Sequence, residues 1–260
     1  MAPTPPAAIE LRNLQKAYNR TPVLHGLDLV VAPGQIVGYI GPNGAGKTTT
    51  LRILAGLDNQ FGGEARVLGI DVKEDPLAVK RRIGYLPESA DLYEVLTPAE
   101  FYHLVGSLHG MERNRITQRA ARLQQYLELK YHPGQRMDTF SKGMRQKVLL
   151  TAILLHDPDL IFLDEPLNGL DANSVIRVKD LLRQLADRSK TVFYSSHIMD
   201  VVERISDRII LLNDGRIAAN GTFAELNAQA HSGNLEDLFA RLTGGSGHGV
   251  APRFNFPEDE

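Results

Sequence analysis

Between residues 7 and 40 the chain alternates apolar and polar side chains, which is the pattern of half-buried strands. Three segments carry this alternation (AIELRNL, VLHGLDLVV and QIVGYI), and turn signals at Asn19-Arg20 and Pro33-Gly34 separate them. Successive side chains on a strand point to opposite faces, so an alternating segment buries one face and exposes the other. The pattern predicts strands that are antiparallel before the first core strand, and a further strand over residues 64–68.

The middle of the chain carries helical periodicity instead. A helix is predicted from Lys47 to about residue 55, and the capping box Thr97-Pro98-Ala99-Glu100 opens another that runs to about residue 108. A second amphipathic helix follows, whose apolar face consists of Ile116, Ala120, Leu123 and Leu127. We therefore expect a helical subdomain, about residues 92–145, inserted between strand-rich parts of the chain.

Helical and strand patterns alternate after this insertion. The predicted elements are helices over residues 144–156 and 172–186 and strands over residues 160–163 and Thr191–Ser195. Such alternation indicates an α/β fold with a parallel sheet covered by helices. Asn213-Asp214-Gly215 is typical of a hairpin turn, and a short helix is predicted over Leu235–Leu242.

The domain organisation follows from these elements. We predict one domain over residues 7–225 and a short C-terminal helical extension over residues 226–243. The ends, residues 1–6 and 244–260, are rich in proline or glycine, and we expect both to be disordered.

A glycine-rich segment lies between the strand pattern that ends at Ile40 and the first predicted helix. Its residues are Gly41, Pro42, Asn43, Gly44, Ala45, Gly46, Lys47, Thr48 and Thr49. Glycines let the backbone wrap closely around an anion and aim several N–H groups inward, and the following helix adds the positive end of its dipole. Lys47 is suited to neutralise β- and γ-phosphates, and the Thr48 hydroxyl to complete a Mg²⁺ shell. The segment predicts a site for a nucleoside triphosphate.

Two adjacent acids, Asp164 and Glu165, follow the apolar run LIFL. A buried parallel strand has this shape, and ligands bind outside the carboxyl ends of strands in open α/β sheets. We predict that Asp164 holds Mg²⁺ through water, and that Glu165 is the general base that orients and deprotonates the attacking water. Together with the glycine-rich loop, the acids indicate an NTPase.

The segment FSKGMRQK between these motifs narrows the class of NTPase. It resembles the signature sequence of ABC-type ATPases, with Ser141 and Gly143 in the defining serine and glycine positions. Downstream, NGLD, which ends at Asp171, resembles the family's D-loop, and His197 stands where the switch histidine belongs. Tyr18 stands where the family has the aromatic residue that stacks on adenine. The resemblance covers about residues 7–225, with the motifs in the family's order.

This resemblance implies a P-loop NTPase core with an N-terminal antiparallel β region and an inserted helical subdomain, which binds ATP and Mg²⁺ and hydrolyses ATP. Two cassettes of this family pair head to tail, so Ser141 and Gly143 are expected to contact the γ-phosphate of ATP held by a second ABC cassette. Asp171 is expected to connect the two sites, and His197 to hold the γ-phosphate or the attacking water. The family also implies a separate integral membrane permease.

Three positions depart from the family pattern. Lys142 replaces the usual first glycine of the signature and Met144 the usual glutamine, but the serine and the second glycine are kept. Glu88, in YLPES, replaces a glutamine that touches Mg²⁺, and we expect this carboxylate to ligate Mg²⁺ as well. The segments YLPE and SKGM together resemble the branch of single-cassette exporters.

Composition and charge limit the partners and locations that we expect for this protein. The chain has 260 residues, a formal net charge of −2 and no cysteine, so we expect no nucleic-acid partner and no thiolate metal site. Its apolar runs are shorter than a membrane span requires. We therefore predict a cytoplasmic protein, peripheral on the inner face of the cell membrane through its permease. Two alternatives stay open: a soluble ABC ATPase not involved in transport, and a regulatory ATP-binding half of a heterodimer.

Overall fold

The structure is a computed structural model that describes residues 6–88, 94–230 and 234–243. Near the N-terminus lies a four-stranded antiparallel sheet in the order β2-β1-β4-β5. Its strands are β1 (Ile9–Tyr18), β2 (Thr21–Val31), β4 (Gly62–Val67) and β5 (Ile70–Asp71). Apolar residues of β1 such as Ile9 and Leu11 are buried because one face of this sheet covers the core. The antiparallel region predicted from the alternation is confirmed.

A six-stranded sheet forms the centre of the molecule, in the order β10-β9-β3-β8-β7-β6. Its strands are β3 (Ile36–Ile40), β6 (Ile83–Leu86), β7 (Leu160–Asp164), β8 (Thr191–Ser195), β9 (Arg208–Asn213) and β10 (Arg216–Gly221). The strands from β9 to β6 are parallel, and the edge strand β10 pairs antiparallel to β9 through the predicted hairpin turn. All residues of β3, β7 and β8 are buried because both faces of the sheet are covered. The predicted α/β fold is confirmed.

The helices cover this sheet and build the insertion. They are α1 (Lys47–Leu54), α2 (Pro76–Arg82), α3 (Pro98–Leu108), α4 (Arg113–Tyr126), α5 (Lys142–Leu154), α6 (Ala172–Asp187), α7 (Met199–Ile205), α8 (Phe223–Ala230) and α9 (Leu235–Leu242). The bounds predicted for α5, residues 144–156, are wrong by two residues at each end. The Ser141 side chain caps the helix and lets it begin at Lys142, ahead of the apolar pattern.

The inserted helices have an apolar cluster of their own. Side chains from α3, α4 and α5 meet in it, among them Phe101, Ile116 and Val148. The predicted capping box is present, with both Thr97–Glu100 hydrogen bonds formed at the start of α3. Residue 92, the predicted start of the subdomain, lies outside the described residues, and α8 runs across residue 225, so the domain bounds stay predictions.

Two further predictions meet the limits of the described chain. The disorder predicted for residues 1–6 and 244–260 concerns, apart from Pro6, residues outside the described part of the chain. Within the described ranges, no helix is both long enough and apolar enough to cross a bilayer.

Candidate active site

Three neighbouring parallel strands end at one cavity. β8 lies between β3 and β7, and its last residue, Ser195, is in register with Tyr39 of β3 and Asp164 of β7. The cavity has a volume of about 740 Å³. It is lined by Tyr18, Val23, Asn43, Gly44, Gly46, Lys47, Thr48, Thr49, Glu88, Asp164, Glu165 and His197. The cavity therefore brings together predicted site residues from five separate segments of the chain.

Close packing explains why glycines are needed in the loop between β3 and α1. A Cβ atom on Gly41 would lie 2.3 Å from the carbonyl oxygen of Leu212, and one on Gly46 would lie 2.6 Å from a methyl group of Leu24. Gly46 also has φ +106°, a left-handed conformation that favours glycine. At Gly44 no atom lies within 4 Å of an added Cβ, so this part of the loop is open. The loop has the shape of a phosphate cradle at the start of a helix.

Lys47 lies across this loop. Its ammonium group donates hydrogen bonds to the carbonyl oxygens of Gly41 and Pro42, at 2.8 and 3.2 Å. Burial lowers the pKa of Lys47, and the negative charges of the nearby carboxylates act in the opposite direction. These carboxylates are Glu165, Asp164 and Glu88. Anionic oxygens in the cavity would add to the stabilisation of the charged lysine.

Asp164 is 1% exposed and has one oxygen without a partner. Its Oδ1 accepts a hydrogen bond of 2.5 Å from the Ser195 hydroxyl, which in turn accepts one of 3.1 Å from the backbone N–H of Glu165. Its Oδ2 is buried and makes no hydrogen bond. A buried carboxylate oxygen without a donor fits a hard cation, and Mg²⁺ prefers carboxylate and hydroxyl oxygens such as those of Asp164 and Thr48. These residues therefore suit Mg²⁺.

Sequence reasoning missed Ser195. The residue ends the otherwise apolar strand TVFYS, and a small hydroxyl side chain at the carboxyl end of a buried strand is the one signal that could have drawn attention to it. Its importance depends on β8 lying beside β7, which the sequence does not reveal.

Glu165 and His197 form a direct pair. His197 Nδ1 lies 2.9 Å from Glu165 Oε2, with 60% of the histidine side chain and 10% of the glutamate side chain exposed. The Nδ1–H donates to the carboxylate, so a neutral ring presents Nε2 as an acceptor. Glu165 has φ +51°, an unusual backbone conformation for a residue with a side chain. Its backbone hydrogen bond to Ser195 supports this conformation.

Tyr18 lies at the rim of the cavity with 42% of its surface exposed. Its hydroxyl donates a hydrogen bond of 3.1 Å to Asp58, and the Lys16 ammonium lies 4.7 Å from the centre of its ring. Lys16 and Asp58 form a buried ion pair at 2.8 Å. This pair, which the sequence did not indicate, fixes the position of the aromatic ring beside the cavity.

Ser141, Gly143 and Asp171 do not line the cavity of their own chain. Ser141 and Asp171 are the N-caps of α5 and α6, and Asp171 accepts hydrogen bonds from the N–H and hydroxyl of Ser174. These bonds lower the pKa of the Asp171 carboxyl. A Cβ on Gly143 would lie 2.6 Å from the carbonyl oxygen of Gly169, so the first turn of α5 and the turn after β7 are in close contact. The three residues belong to a neighbouring surface.

Comparisons with known proteins agree with this geometry. The model of the ABC transporter family matches residues 24–168. The chain is 41% identical to the daunorubicin/doxorubicin resistance ATP-binding protein DrrA of Streptomyces peucetius, over 89% of this chain and 70% of the relative. It is 35% identical to the ABC transporter ATP-binding protein NatA of Bacillus subtilis, over 88% of this chain and 93% of the relative.

Solved structures give the same result. An ATP-binding subunit of an ABC transporter superposes with a TM-score of 0.85 at 30% identity, over 91% of this chain and 99% of that structure. A dimeric ATP-binding cassette in a post-hydrolysis state, bound to ADP and Pi, superposes with a TM-score of 0.76 at 25% identity, over 82% and 98% of the two chains. This chain therefore belongs to the ABC transporter family, as a single-cassette ATP-binding subunit that hydrolyses ATP.

Proposed function

We propose that this chain drives an exporter by hydrolysing ATP in a head-to-tail pair with a second cassette, docked on a separate membrane permease. The observation that carries the proposal is the division of the motifs between two surfaces. Lys47, Glu165 and His197 share one cavity, whereas Ser141 and Gly143 lie outside it. The relative named for resistance to daunorubicin and doxorubicin supports export as the direction of transport.

ATP would bind with its phosphates in the loop of residues 41–49 and its adenine on Tyr18. The loop supplies backbone N–H groups and the start of α1, and Lys47 supplies positive charge. The exposed ring of Tyr18, held by Asp58, supplies a flat apolar face for the base. Both parts line the same cavity, whose volume of about 740 Å³ accommodates a nucleotide.

Mg²⁺ would be held by Thr48 and Asp164, with Glu88 as a further carboxylate at the same cavity. When bound, the ion supplies positive charge that offsets charge on the transferring phosphoryl group. Ser195 fixes the Asp164 carboxylate so that its free oxygen stays available. Glu88 adds a third negative charge beside Asp164 and Glu165, which favours a divalent cation over an empty site.

Glu165 would accept a proton from the water that attacks the γ-phosphorus, while ADP leaves on the opposite side. Its carboxylate is held by His197 at 2.9 Å, so one oxygen is oriented and the other is available to the water. The intact pair favours an active cassette over a purely regulatory half. His197 would also contact the γ-phosphate through its remaining ring nitrogen.

The second cassette would complete the site. Ser141 and Gly143 stand at the beginning of α5, where unpaired N–H groups and the helix dipole favour an anion. In a head-to-tail pair, this helix start would face the γ-phosphate held by the other chain, and Asp171 would lie at the interface between the two sites. Loss of the γ-phosphate on hydrolysis would weaken the pair.

The permease would dock on a groove between the core and the insertion. A cavity of about 270 Å³ opens there between β6 and helices α3 and α5, with Tyr85, Phe101 and Leu149 among its lining residues. Pro87, which directly precedes Glu88, is also among its lining residues. Docking there would place the protein in the cytoplasm, at the inner face of the membrane.

Glu165→Gln tests the chemistry. We expect phosphate release to fall to background, because an amide cannot accept the proton, while ATP affinity is kept and a dimer accumulates with ATP on size-exclusion chromatography with light scattering. Hydrolysis at the wild-type rate would remove Glu165 from this role.

Mixing two inactive variants tests the shared site. Lys47→Ala removes the cradle lysine and Ser141→Arg blocks the partner surface, so each variant alone should be inactive. A mixed dimer holds one intact site, formed by Lys47 of one chain and Ser141 of the other, and an equal mixture should recover about a quarter of the wild-type sites. A mixture as inactive as its components would contradict the head-to-tail arrangement.

A further inference from the structure

A second groove lies far from the ATP cavity, at the opposite end of the central strands. Its volume is about 300 Å³, and it opens between α4 of the insertion and α6 of the core. Asp157 and Pro158 at its edge lie just before the amino end of β7, with Asp159 between them and the strand, whereas the ATP cavity lies at the carboxyl end of the same strand. It is lined by Arg119, Arg122, Leu123, Leu154, Asp157, Pro158, Leu181, Leu185 and Arg188.

Three arginines give this groove an excess of positive charge. Arg122 and Arg188 are exposed, and their side chains make no hydrogen bond or ion pair with any residue that the structure describes. Arg119 donates a hydrogen bond of 3.2 Å to the carbonyl oxygen of Leu154, but its Nε is buried without a partner. Asp157 is the one acid in the lining, and it lies 3.5 Å from both Arg119 and Lys190. Arg119 therefore shares Asp157 with Lys190, whereas the guanidinium groups of Arg122 and Arg188 have no acidic partner among the described residues.

The floor of the groove is apolar. Leu154, Leu181 and Pro158 are buried there, and Leu123 and Leu185 are partly exposed. Guanidinium groups bind carboxylates and phosphates through paired N–H donors, and an apolar floor adds affinity for hydrocarbon. A cavity of about 300 Å³ is at the small end of ligand sites. The charge and the floor together define a ligand with an anionic head and a small apolar body.

We propose that this groove binds a small amphiphilic anion, a carboxylate or phosphate monoester that carries a ring or a medium-length chain. The head would pair with Arg122 and Arg188, and the apolar body would cover the leucines. The ligand would contact α4 and α6 at the same time and so connect the insertion to the core. The ion pair Arg177–Glu128, at 2.5 Å, already connects the two parts near this groove. Binding stabilises the folded chain, because the site needs both parts in place.

The test measures binding of octyl phosphate to the full-length protein below its micellar concentration, by calorimetry and by thermal unfolding. We expect saturable binding with a rise in Tm, and a loss of affinity of about tenfold or more in the double variant Arg122→Gln/Arg188→Gln. Arg113→Gln, on the opposite side of α4, is the matched control and should bind as the wild type does. An unchanged ATP affinity in both variants shows that they are folded.

The remaining arms separate the contributions of head and body. Inorganic phosphate and octanol should each bind at least tenfold more weakly than octyl phosphate. Equal binding of inorganic phosphate would overturn the role of the apolar floor, and equal binding of octanol the role of the arginines. No saturable binding of octyl phosphate, or the same affinity in the double variant, would overturn the site itself. None of these outcomes depends on ATP hydrolysis, so the result decides on the groove independently of the proposed transport function.

Discussion

Replacing Ser195 with alanine should impair the use of Mg²⁺ as well as the stability of the fold. The hydroxyl donates to Asp164 at 2.5 Å and accepts from the N–H of Glu165 at 3.1 Å, and the serine is fully buried. Removing it takes a charge-assisted hydrogen bond from the carboxylate and leaves a buried N–H unpaired. Losses of this kind amount to about 2–4 kcal/mol in total. Because Asp164 would lose the contact that orients it, we expect the apparent Mg²⁺ affinity to fall about 10–100-fold.

The assay is ATP hydrolysis as a function of free Mg²⁺, with unfolding in urea measured in parallel. Thr191→Val is the matched control, because Thr191 lies at the other end of β8, is also buried, and accepts a hydrogen bond of 2.9 Å from the N–H of Gly34. It should cost about 1–2 kcal/mol of stability and leave the Mg²⁺ dependence unchanged. If the Mg²⁺ curves of the two variants coincide, Ser195 has no positioning role and the reasoning is refuted.

Two further predictions concern the rim of the site and the joint of the insertion. Tyr18→Ala should weaken ATP binding by about 1–3 kcal/mol, because the stacking face is lost. Tyr18→Phe keeps the ring and should therefore keep most of the affinity. If a nucleotide-binding titration shows equal losses for the two variants, the effect belongs to the hydroxyl contact with Asp58 and not to stacking. Burial, together with the neighbouring His109 and Arg119, lowers the pKa of His156 to about 4, although a hydrogen bond with the Ile83 carbonyl oxygen and the charge of Asp157 oppose the shift. The unfolded chain therefore takes up the proton first, so stability is full above about pH 6.5 and is lost as the pH falls from there towards 4. Because solvent screens this partly buried ring, we expect the free energy of unfolding to fall by about 1–2 kcal/mol between pH 7 and pH 4.5, as measured in urea. His156→Asn should lose less stability over the same range. Parallel stability profiles of the wild type and the variant would contradict the assignment to His156.

Local motifs of this chain could be predicted from the sequence. The loop of residues 41–49 and the pair Asp164-Glu165 each adjoin an apolar strand, and their spacing carries the chemistry without knowledge of the rest of the fold. The alternation of strands and helices likewise predicts the parallel sheet, which the structure confirms. The helix α7 was missed because its seven residues give too little periodicity to detect and its N-cap residue, Ile198, makes no side-chain capping hydrogen bond.

Contacts between distant segments could not be predicted. Lys16 holds Asp58 and thereby Tyr18, but nothing in the sequence relates β1 to the residues after α1. Ser195 matters because β8 is inserted between β3 and β7 in the sheet, and strand order is not encoded in any local pattern. The groove of Arg119 and Arg188 arises in the same way, where a helix of the insertion meets one of the core. Such contacts depend on topology rather than on the period of any one element.

The approach of Gly143 to Gly169 has a mechanical consequence. Gly169 follows Glu165 by four residues, on the turn that leaves β7, and an added Cβ on Gly143 would lie 2.6 Å from its carbonyl oxygen. Backbone segments packed this tightly have no free space in which to move independently. A shift of the turn that carries Gly169 would therefore displace the first turn of α5. In the proposed head-to-tail pair, a backbone movement near Glu165 in one cassette would in this way reach the first turn of α5, and thereby the ATP bound by the other cassette. Gly169, at this contact, lies only four positions after Glu165.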